Sequence, residues 1–246
     1  MSNLIRGELY KLKKSKYFII MIILAVLTSL LLINSFDSNV KSMHPALING
    51  VYSISYAFQR ILFTSFLFSL LAGEFICKDL KRNMSNSFIF GYKRSEIILS
   101  KITVFIMCFL FLEFIYITIL AIYVSINYGF CEVLNKSTIL YLIRVIIIGI
   151  MYNVATISIV SMVAIITKSS LVTATSPILF ILCFSLLNLK SPILSILRLL
   201  PFIIGGGAIT RFAPKSIIIG GIISSVLTFI ITTVVSILYV KGEDIK

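Results

Sequence analysis

The chain has 246 residues, 59% of them hydrophobic and 13% charged, with a formal net charge of +13. A soluble domain holds about 45–50% apolar and about 25% charged residues, so this composition excludes an ordinary water-soluble fold and requires lipid as solvent. The basic excess does not indicate nucleic-acid binding, because Lys and Arg flank apolar runs instead of interleaving with exposed aromatics.

The first segment, Ser2 to Lys16, sets Ile5, Leu9 and Leu12 at helical spacing against a basic remainder. This predicts an amphipathic elbow helix along the inner membrane surface, its apolar stripe in the lipid boundary and its lysines among anionic headgroups; the alternative is a charged topogenic flank without defined structure. Six apolar runs follow: Tyr17 to Ser35, Tyr56 to Ile76, Ile98 to Ile126, Ile139 to Ile166, Leu171 to Leu189 and Ser216 to Val240. Each is long enough to cross a hydrocarbon layer about 30 Å thick, which takes about 20 helical residues. Backbone polar groups must pair internally at that depth, and the runs lack the alternation of barrel strands, so they are predicted helices. The third and fourth exceed the requirement and should tilt, kink or project beyond the bilayer. The first is read as retained, since Phe18 to Ile33 outruns a signal-peptide core and no A-x-A site follows. The expected fold is all-α, one polytopic transmembrane domain over residues 1–246.

Orientation comes from charge. With the N-terminus inside, the inner segments hold Arg6, Lys11, Lys13, Lys14, Lys16, Lys78, Lys81, Arg82, Lys93, Arg94, Lys101, Lys168, Lys241 and Lys246, which is 14 of the 22 basic residues. The bias places both termini in the cytoplasm.

The outer loop Phe36 to Ser55 carries Asp37, His44 and Pro45, and a lone His without a second ligand reads as a solvated residue. The next inner segment, Glu74 to Lys101, is the most informative. Ile76, Leu80, Met84 and Phe88 recur every four residues, with Lys78, Lys81 and Arg82 pointing elsewhere, until Gly91 breaks the pattern. Ser95 is the predicted N-cap of the following helix, with Glu96 near its positive end. A short amphipathic helix joined through a glycine turn to a spanning helix is a lever open to the cytosol; a basic loop that only enforces topology is the alternative. The inner loop Thr167 to Ser170 is so short that the fourth and fifth spans form a hairpin that moves as one body. Lys190 to Lys215 is apolar but carries Pro192, Pro201, Gly205, Gly206, Gly207 and Pro214, predicting short helices that dip into the outer leaflet, broken at Pro201 and at the triple glycine.

No phosphate-loop, zincin or nucleophile-elbow motif occurs, so catalysis on this chain is not expected. Glu113 stands near the middle of the third span, where a carboxylate faces a cavity or a partner; it either lines a transport path or bonds another helix. Arg60 and Arg144 read as anchors that snorkel to headgroups. Cys77, Cys108, Cys131 and Cys183 have no CxxC spacing, and Cys108 and Cys183 read as small apolar fillers. Gly149, Ser158, Ser161, Thr173, Thr175, Gly220, Gly221, Ser224, Ser225, Thr232 and Thr233 suit close helix packing in a bundle or dimer.

The layout resembles the permease subunits of ABC transporters of the type 2 export class over its whole length. Glu8-Leu9-Tyr10-Lys11-Leu12 with Lys14-Ser15-Lys16 is similar to the family's opening. Glu74-Phe75, Gly91-Tyr92-Lys93-Arg94-Ser95-Glu96 and Ser100-Lys101 are similar to its coupling region, and Lys241 to Lys246 to its charged tail. The resemblance implies a bacterial plasma-membrane exporter driven by separate cytosolic ABC ATPase subunits, which bind ATP and Mg while this chain carries no cofactor. It implies docking through Ile5, Leu9 and Leu12 of the elbow and through Leu80, Lys81, Arg82, Met84, Phe88, Gly91, Tyr92, Lys93 and Arg94. It also implies a second permease subunit, identical or related, and an amphiphilic or peptide substrate drawn from the membrane lipids. Permeases of this size are similar to those protecting bacteria against bacitracin or lantibiotic-like peptides. Two other classes fit the residues alone: an autonomous secondary transporter or channel coupled through Glu113, and a membrane scaffold without transport.

Overall fold

The computed structural model describes residues 2–40, 48–82, 92–131, 134–186 and 197–242, and every regular element among them is a helix. In chain order these are α1 (Ser2–Lys14), α2 (Lys16–Val40), α3 (Gly50–Gln59), α4 (Ile61–Ala72), a π-helical turn (Gly73–Cys77), α5 (Lys78–Arg82), α6 (Arg94–Tyr128), α7 (Lys136–Thr167), α8 (Ser170–Leu186), α9 (Pro201–Ala208) and α10 (Lys215–Gly242). Among the described residues, five stretches are long and apolar enough to span a membrane: Lys16–Val40, Ile61–Leu80, Arg94–Tyr128, Lys136–Thr167 and Lys215–Gly242. The protein is an all-α, multi-pass membrane protein. The predicted fifth span corresponds to α8, a shorter apolar helix; residues 187–189 lie outside the described residues.

Boundaries differ from expectation where tertiary contacts intervene. The second run does not form one helix from Tyr56: Tyr56 belongs to α3, and the chain turns at Arg60 (φ −84°, ψ 17°) before α4 resumes. There the Arg60 guanidinium donates to the Tyr56 hydroxyl at 2.7 Å and stacks 4.4 Å over its ring, so Arg60 has a partner within the protein. The same hydroxyl meets Ser35 at 2.7 Å and accepts from Asn39 at 2.9 Å, fastening α3 to α2. Helix α6 starts at Arg94 with Lys93 as the flanking residue and no side-chain cap bond, so Ser95 is an interior position and not the N-cap. Glu96 does lie in the first turn.

The core runs along α6 and α7. Phe68 of α4 meets Phe109 of α6 edge to face at 4.5 Å, and Phe36 of α2 meets Tyr56 at 5.2 Å in the same geometry. Helices α7 and α10 form the most extensive helix pair, joined by the Thr232 hydroxyl donating to Ser158 at 2.8 Å. The triple glycine does not break a helix: α9 begins at Pro201 and runs through Gly205, Gly206 and Gly207 to Ala208. Packing explains this, because a Cβ on Gly205 would overlap the Tyr152 ring and one on Gly221 would lie 3.0 Å from Ala208. Glycine here lets α9 approach α7 and α10 closely. Arg144 donates to the carbonyls of Thr210 and Arg211 at 2.6 and 3.1 Å, holding the turn after α9 onto α7.

Candidate functional site

The end of the bundle that carries α1 is organised around charge. Lys101 on α6 is 3% exposed, although it sits among Ile97, Ile98, Ile102 and Val104, all buried. A buried ammonium survives only with anionic partners. Lys101 has two: Glu8 of α1 at 3.3 Å and Asp79 of α5, in direct contact. Lys11 closes the group, 3.0 Å from Glu8 and 3.7 Å from Asp79. Three segments distant in sequence thus share one cluster of two lysines and two carboxylates.

The elbow is positioned by the same packing. Ser15 interrupts the chain between α1 and α2, its hydroxyl accepting from the Tyr17 N–H at 3.2 Å. Leu12 is buried, and Ile5 and Leu9 pack against the core. The predicted lipid-facing stripe therefore rests on protein, because α1 packs on α6. Residues 73–77 widen into a π-helical turn, a feature frequent at functional positions. Its acid, Glu74, pairs with Lys78 at 2.5 Å, and Lys78 lies 4.9 Å over the Tyr17 ring. On the other face, the Cys77 thiol donates to Ala164 O at 3.3 Å and meets the Thr173 hydroxyl at 3.2 Å. A Cβ on Gly73 would come within 3.2 Å of the Ser170 carbonyl. The root of the predicted lever is therefore wedged against the α7–α8 hairpin, whose turn is set by Lys168 in the left-handed region (φ 49°).

Deeper in the bundle, Glu113 of α6 is 2% exposed. Its Oε1 accepts from Asn153 Nδ2 of α7 at 2.5 Å and from the Tyr116 hydroxyl at 3.4 Å. The acid also lines a lateral groove of about 650 Å³ between α3, α6 and α7. Glu113 thus bonds another helix, as one of the two expectations had it, and also borders this groove.

A family model described as ABC-2 family transporter protein matches residues 4–188. The chain belongs to that family. It is a membrane permease component of ABC transporters and not itself the catalytic subunit, and its family works with ABC ATPases. Comparison with curated proteins and with solved structures gave no match.

For this ABC-2 permease the predicted docking residues distribute as follows. Leu80 is buried in the core, Tyr92 and Arg94 are half-buried, and Lys93 is exposed. Lys81 and Arg82 end α5, while Met84, Phe88 and Gly91 lie outside the described residues, as do His44, Pro192 and the tail 243–246. Sequence reasoning missed the Glu8–Asp79–Lys101 cluster and the partner of Glu113. The readable signals were an amide, Asn153, within an apolar run, and a lysine, Lys101, at a position whose helical neighbours are all apolar.

Proposed function

We propose that this permease is the membrane half of an ATP-driven exporter in the bacterial plasma membrane, with both termini in the cytoplasm. A separate cytosolic ABC ATPase, carrying ATP and Mg²⁺, docks on the elbow and on the segment that begins at α5. A second permease, identical or related, completes the pathway, and the cargo is an amphiphile or peptide, including antimicrobial peptides, taken from the membrane.

The observation that carries this reading is the shared ionic cluster. Because Glu8, Asp79 and Lys101 couple α1, α5 and α6, a force applied at the lever root reaches the elbow and the third spanning helix together. The Cys77 and Gly73 contacts pass the same displacement to the α7–α8 hairpin. A conformational shift requires a ligand that binds one arrangement better than the other, and a nucleotide-gated partner supplies that difference. The charge bias supports the inward placement of this end.

Co-purification tests the reading. The permease should carry a nucleotide-hydrolysing partner that is lost when Lys81, Arg82, Phe88 and Tyr92 are replaced together; a folded variant that retains the partner contradicts this docking site. One observation favours a second reading, the autonomous carrier: Glu113 is an acid buried in the bundle. Dependence on a proton gradient without any ATPase would support it.

A further inference from the structure

We infer that the lateral groove between α3, α6 and α7 is a binding site for a lipophilic organic cation, with Glu113 as its counter-ion. This rests on the exporter reading, whose substrate class it narrows. The groove follows α6 from Leu110 to Ile126, about 24 Å at about 1.5 Å rise per residue. Its walls are apolar: Ile54 and Phe58 from α3, Ile117 and Ile122 from α6, Ile146 and Ile150 from α7. Phe114 and Ile122 are 68% and 55% exposed, so the groove opens sideways from the bundle and is reached from lipid.

Within that lining, among the described residues, Glu113 is the one ionisable group. Two donors, Asn153 Nδ2 and the Tyr116 hydroxyl, converge on its Oε1 at 2.5 and 3.4 Å. The Asn153 Oδ1 atom, on the same amide that donates to the acid, is buried without a hydrogen-bond partner. A carboxylate in an apolar setting has lost its hydration, and a cation brought in by its own apolar body restores a partner without requiring water. Aromatic rings at Phe58, Phe114 and Phe130 add faces that attract a cation. A neutral amphiphile gains only the walls, and an anionic one meets like charge. Charge complementarity therefore selects among molecules with identical tails.

The test uses the full chain in nanodiscs of phosphatidylcholine, without an ATPase, so that it stands apart from the docking question. Binding of dodecyltrimethylammonium, dodecanol and dodecyl sulfate is measured by equilibrium dialysis and corrected with empty nanodiscs. The cation is expected to bind at least about tenfold tighter than the alcohol, as one ion pair at low dielectric permits. Glu113→Gln should remove that preference while dodecanol binding stays unchanged. Ala121→Phe, which fills the groove away from the Glu113–Asn153 pair, should weaken cation and alcohol together. Equal binding of the three probes, or a cation preference that survives Glu113→Gln, overturns the assignment. Undiminished binding of both probes in Ala121→Phe overturns the groove as their location. Absence of cation selectivity in the unsubstituted protein, with the ATPase still co-purifying, refutes only this site, whereas an intact preference with no ATPase partner refutes only the exporter reading.

Discussion

Lys101 and Glu8 stand 3.3 Å apart across 93 positions of sequence, both almost wholly buried. Their contact fixes the elbow against the third spanning helix, and Asp79 draws the lever root into the same cluster. The charged end of the permease is therefore one mechanical unit.

Removing the lysine should show this directly. Lys101→Met removes the buried cation that Glu8 and Asp79 share, and the neighbouring Lys11 is half exposed. Breaking a buried ionic group on one side costs about 3 kcal/mol. The expected outcome is a clear drop in thermal stability in detergent, partly recovered by adding Glu8→Gln. Unchanged stability would show that the cluster holds nothing together.

Two adjacent glycines make a paired test of the α9 packing. Gly205→Ala drives a methyl into the Tyr152 ring and should cost about 1–3 kcal/mol through overpacking. Gly206→Ala meets nothing within 4 Å and should be neutral or stabilise the helix by about 0.5–1 kcal/mol. Thermal unfolding of the two variants under one condition decides it. Equal effects would mean that α9 does not press on α7.

For Glu113, the conservative change Glu113→Gln retains the side-chain shape and should leave assembly intact while altering transport. Asn153→Leu removes the main donor to the acid and should destabilise the bundle by about 2 kcal/mol, in the range for hydrogen bonds to charged groups. Unchanged transport in Glu113→Gln would reduce the acid to a packing residue.

The hydroxyl pair between α7 and α10 should matter much less. Thr232→Val removes the bond to Ser158 and should cost only about 0.6 kcal/mol, because each hydroxyl also has a carbonyl partner within its own helix. A loss of several kcal/mol in the same unfolding assay would contradict this.

The spans were legible because an apolar run of spanning length, in a chain this poor in charge, has almost no stable setting outside lipid. Helix class, the elbow and the hairpin at Thr167 to Ser170 follow from periodicity and loop length. Features fixed by distant contacts were not legible. Arg60 sits in an apolar run, yet its turn depends on Tyr56, Ser35 and Asn39 arriving together. The Gly205 to Gly207 run reads as a breaker by propensity, and only the closeness of Tyr152 and Gly221 accounts for its being helical. Glu8, Asp79 and Lys101 each look like ordinary members of basic flanks, and no local pattern announces that they meet. Asn153 was the readable clue to Glu113, since an amide in a spanning run needs a partner.

We propose that this permease is a passive gate worked by a second protein at its α1 end. Reconstitution into sealed vesicles tests it most directly, following a fluorescent amphiphile with the permease alone and with its co-purified ATPase. Movement only when ATPase and ATP are both present is the predicted result; movement by the permease alone, driven by an ion gradient, would contradict it.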